Sequence, residues 1–95
     1  MKDFRNLKVW DKAHKFVLDI YSVTNKFPKA EIYGLTSQLR RAAVSIPTDI
    51  VEGSSRGSDK DFARFIQISI GSASETEYLL IPVSYTHLRA HETKA

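Results

Sequence analysis

Apolar residues recur at spacings of three and four through three successive segments of this 95-residue chain, and proline or glycine falls in the intervals between them. That period is the turn of an α-helix and not the two-residue repeat of a strand, so the chain is expected to be all-α, each helix burying one stripe. The first stripe is Val9, Ala13, Phe16, Val17, Ile20, Val23 and Phe27, with Lys8, Asp11, Lys12, Lys15, Asp19 and Lys26 on the other side. A helix is expected over Leu7 to Phe27, ending where Pro28 disfavours helical geometry in the residue before it. Asp11 and Lys15 stand at the spacing of an i,i+4 ion pair.

The second stripe, Ile32, Leu35, Leu39, Ala42, Ala43, Ile46 and Ile50, runs to Glu52. Pro47 lies inside it and cannot donate to the Ala43 carbonyl, which predicts a kink rather than a break. Gly53 suits the left-handed conformation that ends a helix. Ser58 is placed to cap the next helix, and Asp59 and Asp61 to set negative charge against its dipole. The third stripe is Phe62, Phe65, Ile66, Ser69, Ala73, Thr76 and Leu80, widened by Ile68, Ile70 and Leu79, and that width implies more than one packing neighbour. Pro82 is expected to interrupt this helix. Residues 1–81 then form one helical-bundle domain and residues 82–95 an irregular tail.

A chain of this length builds a single small core with a modest surplus over chain entropy, which favours stabilisation by a partner subunit. There is no cysteine, which removes disulfides, thiolate metal sites and cysteine nucleophiles and fits a cytoplasmic protein. No continuous apolar run marks a signal peptide or a membrane span. The formal charge of +3 permits contact with phosphate backbones without the strong basic excess of a dedicated nucleic-acid coat.

Two runs in the second helix are distinctive: Tyr33-Gly34-Leu35-Thr36-Ser37-Gln38-Leu39-Arg40-Arg41-Ala42-Ala43-Val44-Ser45-Ile46-Pro47 and Asp49-Ile50-Val51-Glu52-Gly53. With Lys60-Asp61-Phe62, Arg64-Phe65 and Gly71-Ser72-Ala73-Ser74-Glu75, the pattern resembles the bacterial four-helix-bundle family first noticed in intervening sequences of 23S ribosomal RNA genes. The resemblance covers roughly Phe4 to Ile81. It implies an up-down antiparallel bundle that assembles into a ring-like homo-oligomer, a pentamer, without known catalytic activity. A related fold is the accessory variability determinant of diversity-generating retroelements, a basic pentamer that binds a reverse transcriptase and nucleic acid. The chain departs from the family at Asp49, where Asn is usual, and after Ile81, where a fourth helix is replaced by a stretch that looks like a translated sequencing adapter.

Arg40, Arg41, Arg56, Lys60 and Arg64 gather in sequence about the turn between the second and third helices and form a candidate phosphate-contacting patch, opposed by Asp59 and Asp61 and without an interleaved aromatic. An ordinary solvated face is the competing reading. Arg41, Ser45, Asp49 and Glu52 make a polar stripe along the second helix, with Arg41 expected to fork onto Glu75 or Glu77 of the third. The stripe reads either as an interhelical network that fixes register or as a subunit interface. Gly53-Ser54-Ser55-Arg56-Gly57-Ser58 lacks the Gly-Lys-Ser/Thr ending and the preceding strand of a phosphate-binding loop. His87 and His91 have ligand spacing but no third ligand, and His14 has no triad partner at motif spacing. Trp10, Tyr21, Phe27, Tyr33, Phe62 and Phe65 read as core or interface residues.

The chain is therefore expected to be a non-enzymatic, homo-oligomeric scaffold associated with structured RNA, without cofactor, metal, membrane or small-molecule substrate. The alternative is a protein-interaction adaptor, for example for a reverse transcriptase, that does not touch RNA itself.

Overall fold

A computed structural model describes residues 2–29 and 34–94, with side chains as far as Ile81. A single 3-10 turn, Phe4–Asn6, precedes three α-helices: α1 (Lys8–Thr24), α2 (Leu35–Ser54) and α3 (Asp59–Lys94). The chain is all-α, and the helices run up, down and up as an antiparallel bundle.

α2 is the shared member. Leu39, Ala42 and Ala43 meet Val17 and Ile20 of α1 and Leu79 of α3 in one buried cluster, and Ile46 and Ile50 meet Ala13 in a second. Phe16 packs against both clusters and joins them. Leu39 and Ile50 are fully enclosed; removing either side chain would cost about 2–5 kcal/mol. The antiparallel register of α2 and α3 is pinned by polar contacts as well. The Ser69 hydroxyl donates to the Ile46 carbonyl at 3.0 Å, and the Ser72 hydroxyl to an Asp49 carboxylate oxygen at 3.3 Å.

Several boundaries differ from expectation. α1 ends at Thr24 rather than Phe27, because its last amides tighten: Lys26 donates to the Val23 carbonyl and Phe27 to that of Thr24, three residues back, so the chain leaves the α-helix before it reaches Pro28. α2 begins at Leu35; Ile32 and Tyr33, expected in its first turn, lie outside the described residues. α2 continues unbroken through the buried Pro47.

Gly53 sits inside α2 rather than ending it, and Gly57, with φ of 86°, takes the left-handed conformation of the turn. Gly53 is needed for a different reason. A Cβ there would lie 2.6 Å from the Cβ of Phe65, so the glycine lets α3 come close to α2. Ser58 caps α3 as expected, its hydroxyl accepting from the Asp61 amide at 3.1 Å.

α3 also runs on past Pro82, where an irregular tail was expected. The proline removes one hydrogen bond, but its fixed φ is helical and the residues beyond it include strong helix formers, Leu88, Arg89, Ala90 and Glu92. Its 36 residues make a rod of about 54 Å, which accounts for the longest dimension of the molecule, 55 Å. On the same helix Ala73, Ile68 and Ile70 are exposed rather than buried, and Ser69, Thr76 and Leu79 form the covered stripe.

Candidate nucleic-acid interface

The five basic residues proposed as one patch fall into two groups at opposite ends of α2. Arg40 and Arg41 lie in its first half, and Arg56, Lys60 and Arg64 follow its last turn. The helical rise of α2 from Arg40 to its end at Ser54 separates the groups by about 20 Å.

At the first end, Arg40 is committed to the fold. Its Nε donates to the Thr24 hydroxyl at 2.8 Å and its Nη2 to the Asn25 side-chain oxygen at 2.9 Å. The Thr24 hydroxyl, buried, in turn donates to the Ile20 carbonyl at 2.7 Å. Arg40 thus ties the carboxyl end of α1 to α2 and satisfies a hydroxyl that would otherwise be enclosed without its acceptor capacity used. The guanidinium also lies 4.8 Å from the centre of the Tyr21 ring, close enough for a cation–π attraction.

Arg41 is different. At about 100° per residue it lies about 160° around the helix from the enclosed Ala43, off the face of α2 that carries the core. It is exposed, and among the described residues it makes no ion pair. The expected fork onto Glu75 or Glu77 is absent for that reason of geometry. Arg41 instead lines a surface hollow of about 330 Å³ together with Tyr21, Ser37, Arg40 and Val44. This hollow sets an aromatic ring and a hydroxyl beside two guanidinium groups. Tyr21 and Ser37 belong to the site on that ground. Tyr21 reaches it only because α1 folds back on α2, nineteen residues before Arg40 in a different helix.

At the other end, Arg56 pairs with Glu52 at 2.6 Å, and its guanidinium stands 4.9 Å from the Phe65 ring centre while that of Arg64 stands 5.0 Å away. Lys2, absent from the sequence-based patch, reaches this end because its amide donates to the Ser54 carbonyl at 2.9 Å. Its Nζ pairs with Asp59 at 2.9 Å and lies 5.2 Å from the Phe62 ring centre. The hydrogen bond and charge of Lys2 hold the Asp59 carboxyl below the usual aspartate range. Lys60 is exposed and, like Arg64, has no acidic partner among the described residues. Arg40 also lacks a carboxylate but is hydrogen-bonded into the fold, so Arg41, Lys60 and Arg64 are the cations of the proposed set with neither an ion pair nor a hydrogen bond among the described residues.

The remaining polar stripe of α2 is structural in part. Asp49 accepts from Ser72, Glu52 pairs with Arg56, and the Ser45 hydroxyl returns to the Ala42 carbonyl of its own helix at 2.7 Å. Glu75 is exposed on α3 and joins none of these contacts. The expected Asp11–Lys15 pair forms on α1 at 2.9 Å. Among the described residues no helix is long and apolar enough to cross a membrane.

A comparison with curated proteins finds no match. A family does match, across residues 5–94, and so runs beyond Ile81, where the motifs read in the sequence stop. The runs that carry it now have structural roles: Ile50 fills the core, Gly53 lets α3 approach, Asp49 and Glu52 fix their neighbours, and Arg40 joins α1 to α2. By that match the chain belongs to the family of 23S rRNA-intervening sequence proteins.

Proposed function

We propose that this protein is a non-enzymatic, self-associating helical scaffold that contacts structured RNA through the cations left free by the fold. The observation that carries this reading is the hollow between α1 and α2, where the unpaired Arg41 stands with Arg40, Ser37 and Tyr21. A guanidinium beside an aromatic ring and a hydroxyl offers charge for a phosphate, a face for a base and a hydrogen bond for a ribose or phosphate oxygen. Lys60 and Arg64 extend the contact to the other end of α2. Three free cations give weak binding per chain, and self-association multiplies them.

Self-association is supported by the apolar surface. Val9, Leu18, Val23, Ile68, Ile70 and Ile81 are exposed on α1 and α3, apolar surface that a neighbouring copy could cover. The family is one of small helical proteins not known as enzymes.

Gel-shift titration of the full chain against a structured RNA, at about 50 and 200 mM salt, tests the RNA contact. Binding at low salt that weakens by an order of magnitude or more at high salt is expected. Tyr21→Ala should weaken it severalfold at both salts, because stacking does not depend on counterion release. No binding at low salt would reject the RNA contact and leave the adaptor for a nucleic-acid enzyme, such as a reverse transcriptase, as the surviving reading.

A further inference from the structure

α2 turns Ile46, Asp49 and Gly53 towards α3 and Arg40 towards α1. At about 100° per residue, Ser37, Val44, Thr48 and Val51 fall on the flank that carries Arg40. On α1 the same count sets Trp10, His14, Leu18 and Tyr21, spaced four, four and three residues apart, along one flank. The two rows border one seam. At one end lies the hollow of Tyr21, Ser37, Arg41 and Val44; at the other, a second hollow of about 440 Å³ is lined by Phe4, Arg5, Val51 and Ser55. The helical rise from Arg41 to Ser54 sets the two ends about 20 Å apart.

Rings and cations alternate along this seam. The Phe4 ring meets Trp10 edge-on with centres 5.0 Å apart, and the His14 ring lies on Trp10 at 5.0 Å, 6° from parallel. His14 is exposed, and among the described residues its imidazole has no hydrogen bond and no ring neighbour besides Trp10. Leu18 and Tyr21 are 55% and 40% exposed. Arg41 stands at one end, and the Arg5 guanidinium, 5.3 Å from the Phe4 ring centre, at the other. The acids beside the seam are already paired: Asp11 with Lys15, Asp3 with Arg5 and Glu52 with Arg56.

We propose that this seam is a track for an unpaired stretch of RNA, about four nucleotides long, with phosphates at the arginine ends and bases on the His14 and Tyr21 rings. The inference deepens the RNA contact above, on which it rests, by naming the state of the strand. A base inside a duplex has its faces covered by its neighbours in the stack and reaches neither ring; an unpaired base can lay a face on either. The hydroxyls of Ser37, Thr48 and Ser55 interrupt the apolar lining, which suits a polar strand better than the continuous apolar stripe of a partner helix.

Fluorescence anisotropy of the full chain tests the track, using a labelled RNA of about twelve nucleotides without self-complementarity, alone and annealed to its complement, at about 50 mM salt. The single strand is expected to bind about tenfold tighter than the duplex. His14→Ala should weaken single-strand binding about fivefold and leave duplex binding unchanged, whereas His14→Phe, which keeps a ring, should bind within about twofold of the parent. Circular dichroism reports retained helix in both variants. Equal affinity for strand and duplex, or a His14→Ala variant that binds the single strand as the parent does, overturns the track while the RNA contact at Arg41 stands. Absence of binding to either form overturns the track and the RNA contact together.

Discussion

Three glycines occupy three different physical situations, and the same substitution should give three different results. Gly53→Ala places a Cβ 2.6 Å from that of Phe65, so α2 and α3 must separate; a loss of about 1–3 kcal/mol in urea unfolding is expected. Gly57→Ala strains a residue at φ of 86° and should cost about 1 kcal/mol without any clash. Gly71 lies in the exposed body of α3 with nothing near its missing side chain, so Gly71→Ala should stabilise by about 0.5–1 kcal/mol. Asp59 gives a residue-scale result in pH. Its carboxyl is more acidic in the folded chain than in the unfolded one because Lys2 favours the charged form. The pair therefore contributes at neutral pH, and its contribution fades as pH falls through the folded-state midpoint. An NMR titration should find the Asp59 midpoint below the ordinary aspartate value, and Lys2→Ala should bring it back up.

Among the elements, α2 is covered by both neighbours, while α1 packs chiefly on α2. Hydrogen exchange should therefore be slowest at the amides about Leu39 to Ile50 and should release α1 first, since local opening of α1 uncovers the least apolar surface. The three helices are legible from apolar period because each buries one stripe. Their ends are less so, because tertiary contacts set them. Arg40 fastens the end of α1 from a different helix, and Ser69 reaches across to the Ile46 carbonyl, and neither partnership has a spacing to read. Gly53 reads as a helix stop because a glycine needed for close approach and a glycine needed for positive φ look alike in sequence. The basic run looks like one patch for a related reason: nearness in sequence becomes about 20 Å of separation along a helix. Its aromatic partner Tyr21 arrives only when α1 folds back.

On the scale of the whole molecule, the fold sorts the arginines by task. Arg40 and Arg56 have partners that join helices or cap their ends, whereas Arg41 faces water beside Tyr21 and Ser37. A bundle this small can spare few charges, so those with neither an ion pair nor a hydrogen bond to the fold are the ones free for an external phosphate. The distinction explains why two adjacent arginines in one run can do different work, one internal to the bundle and one directed outward.

The comparison of Arg40→Ala with Arg41→Ala, each assayed for urea stability and for low-salt RNA affinity, tests this division most directly. Arg40→Ala should lose about 1–2 kcal/mol through its two hydrogen bonds to Thr24 and Asn25, while the Thr24 hydroxyl keeps its bond to the Ile20 carbonyl. Arg41→Ala should stay within about 0.5 kcal/mol of the parent and lose RNA affinity, with the salt slope reduced by about one. Equal stability losses for the two, or an Arg41→Ala variant that binds RNA as the parent does, would contradict it.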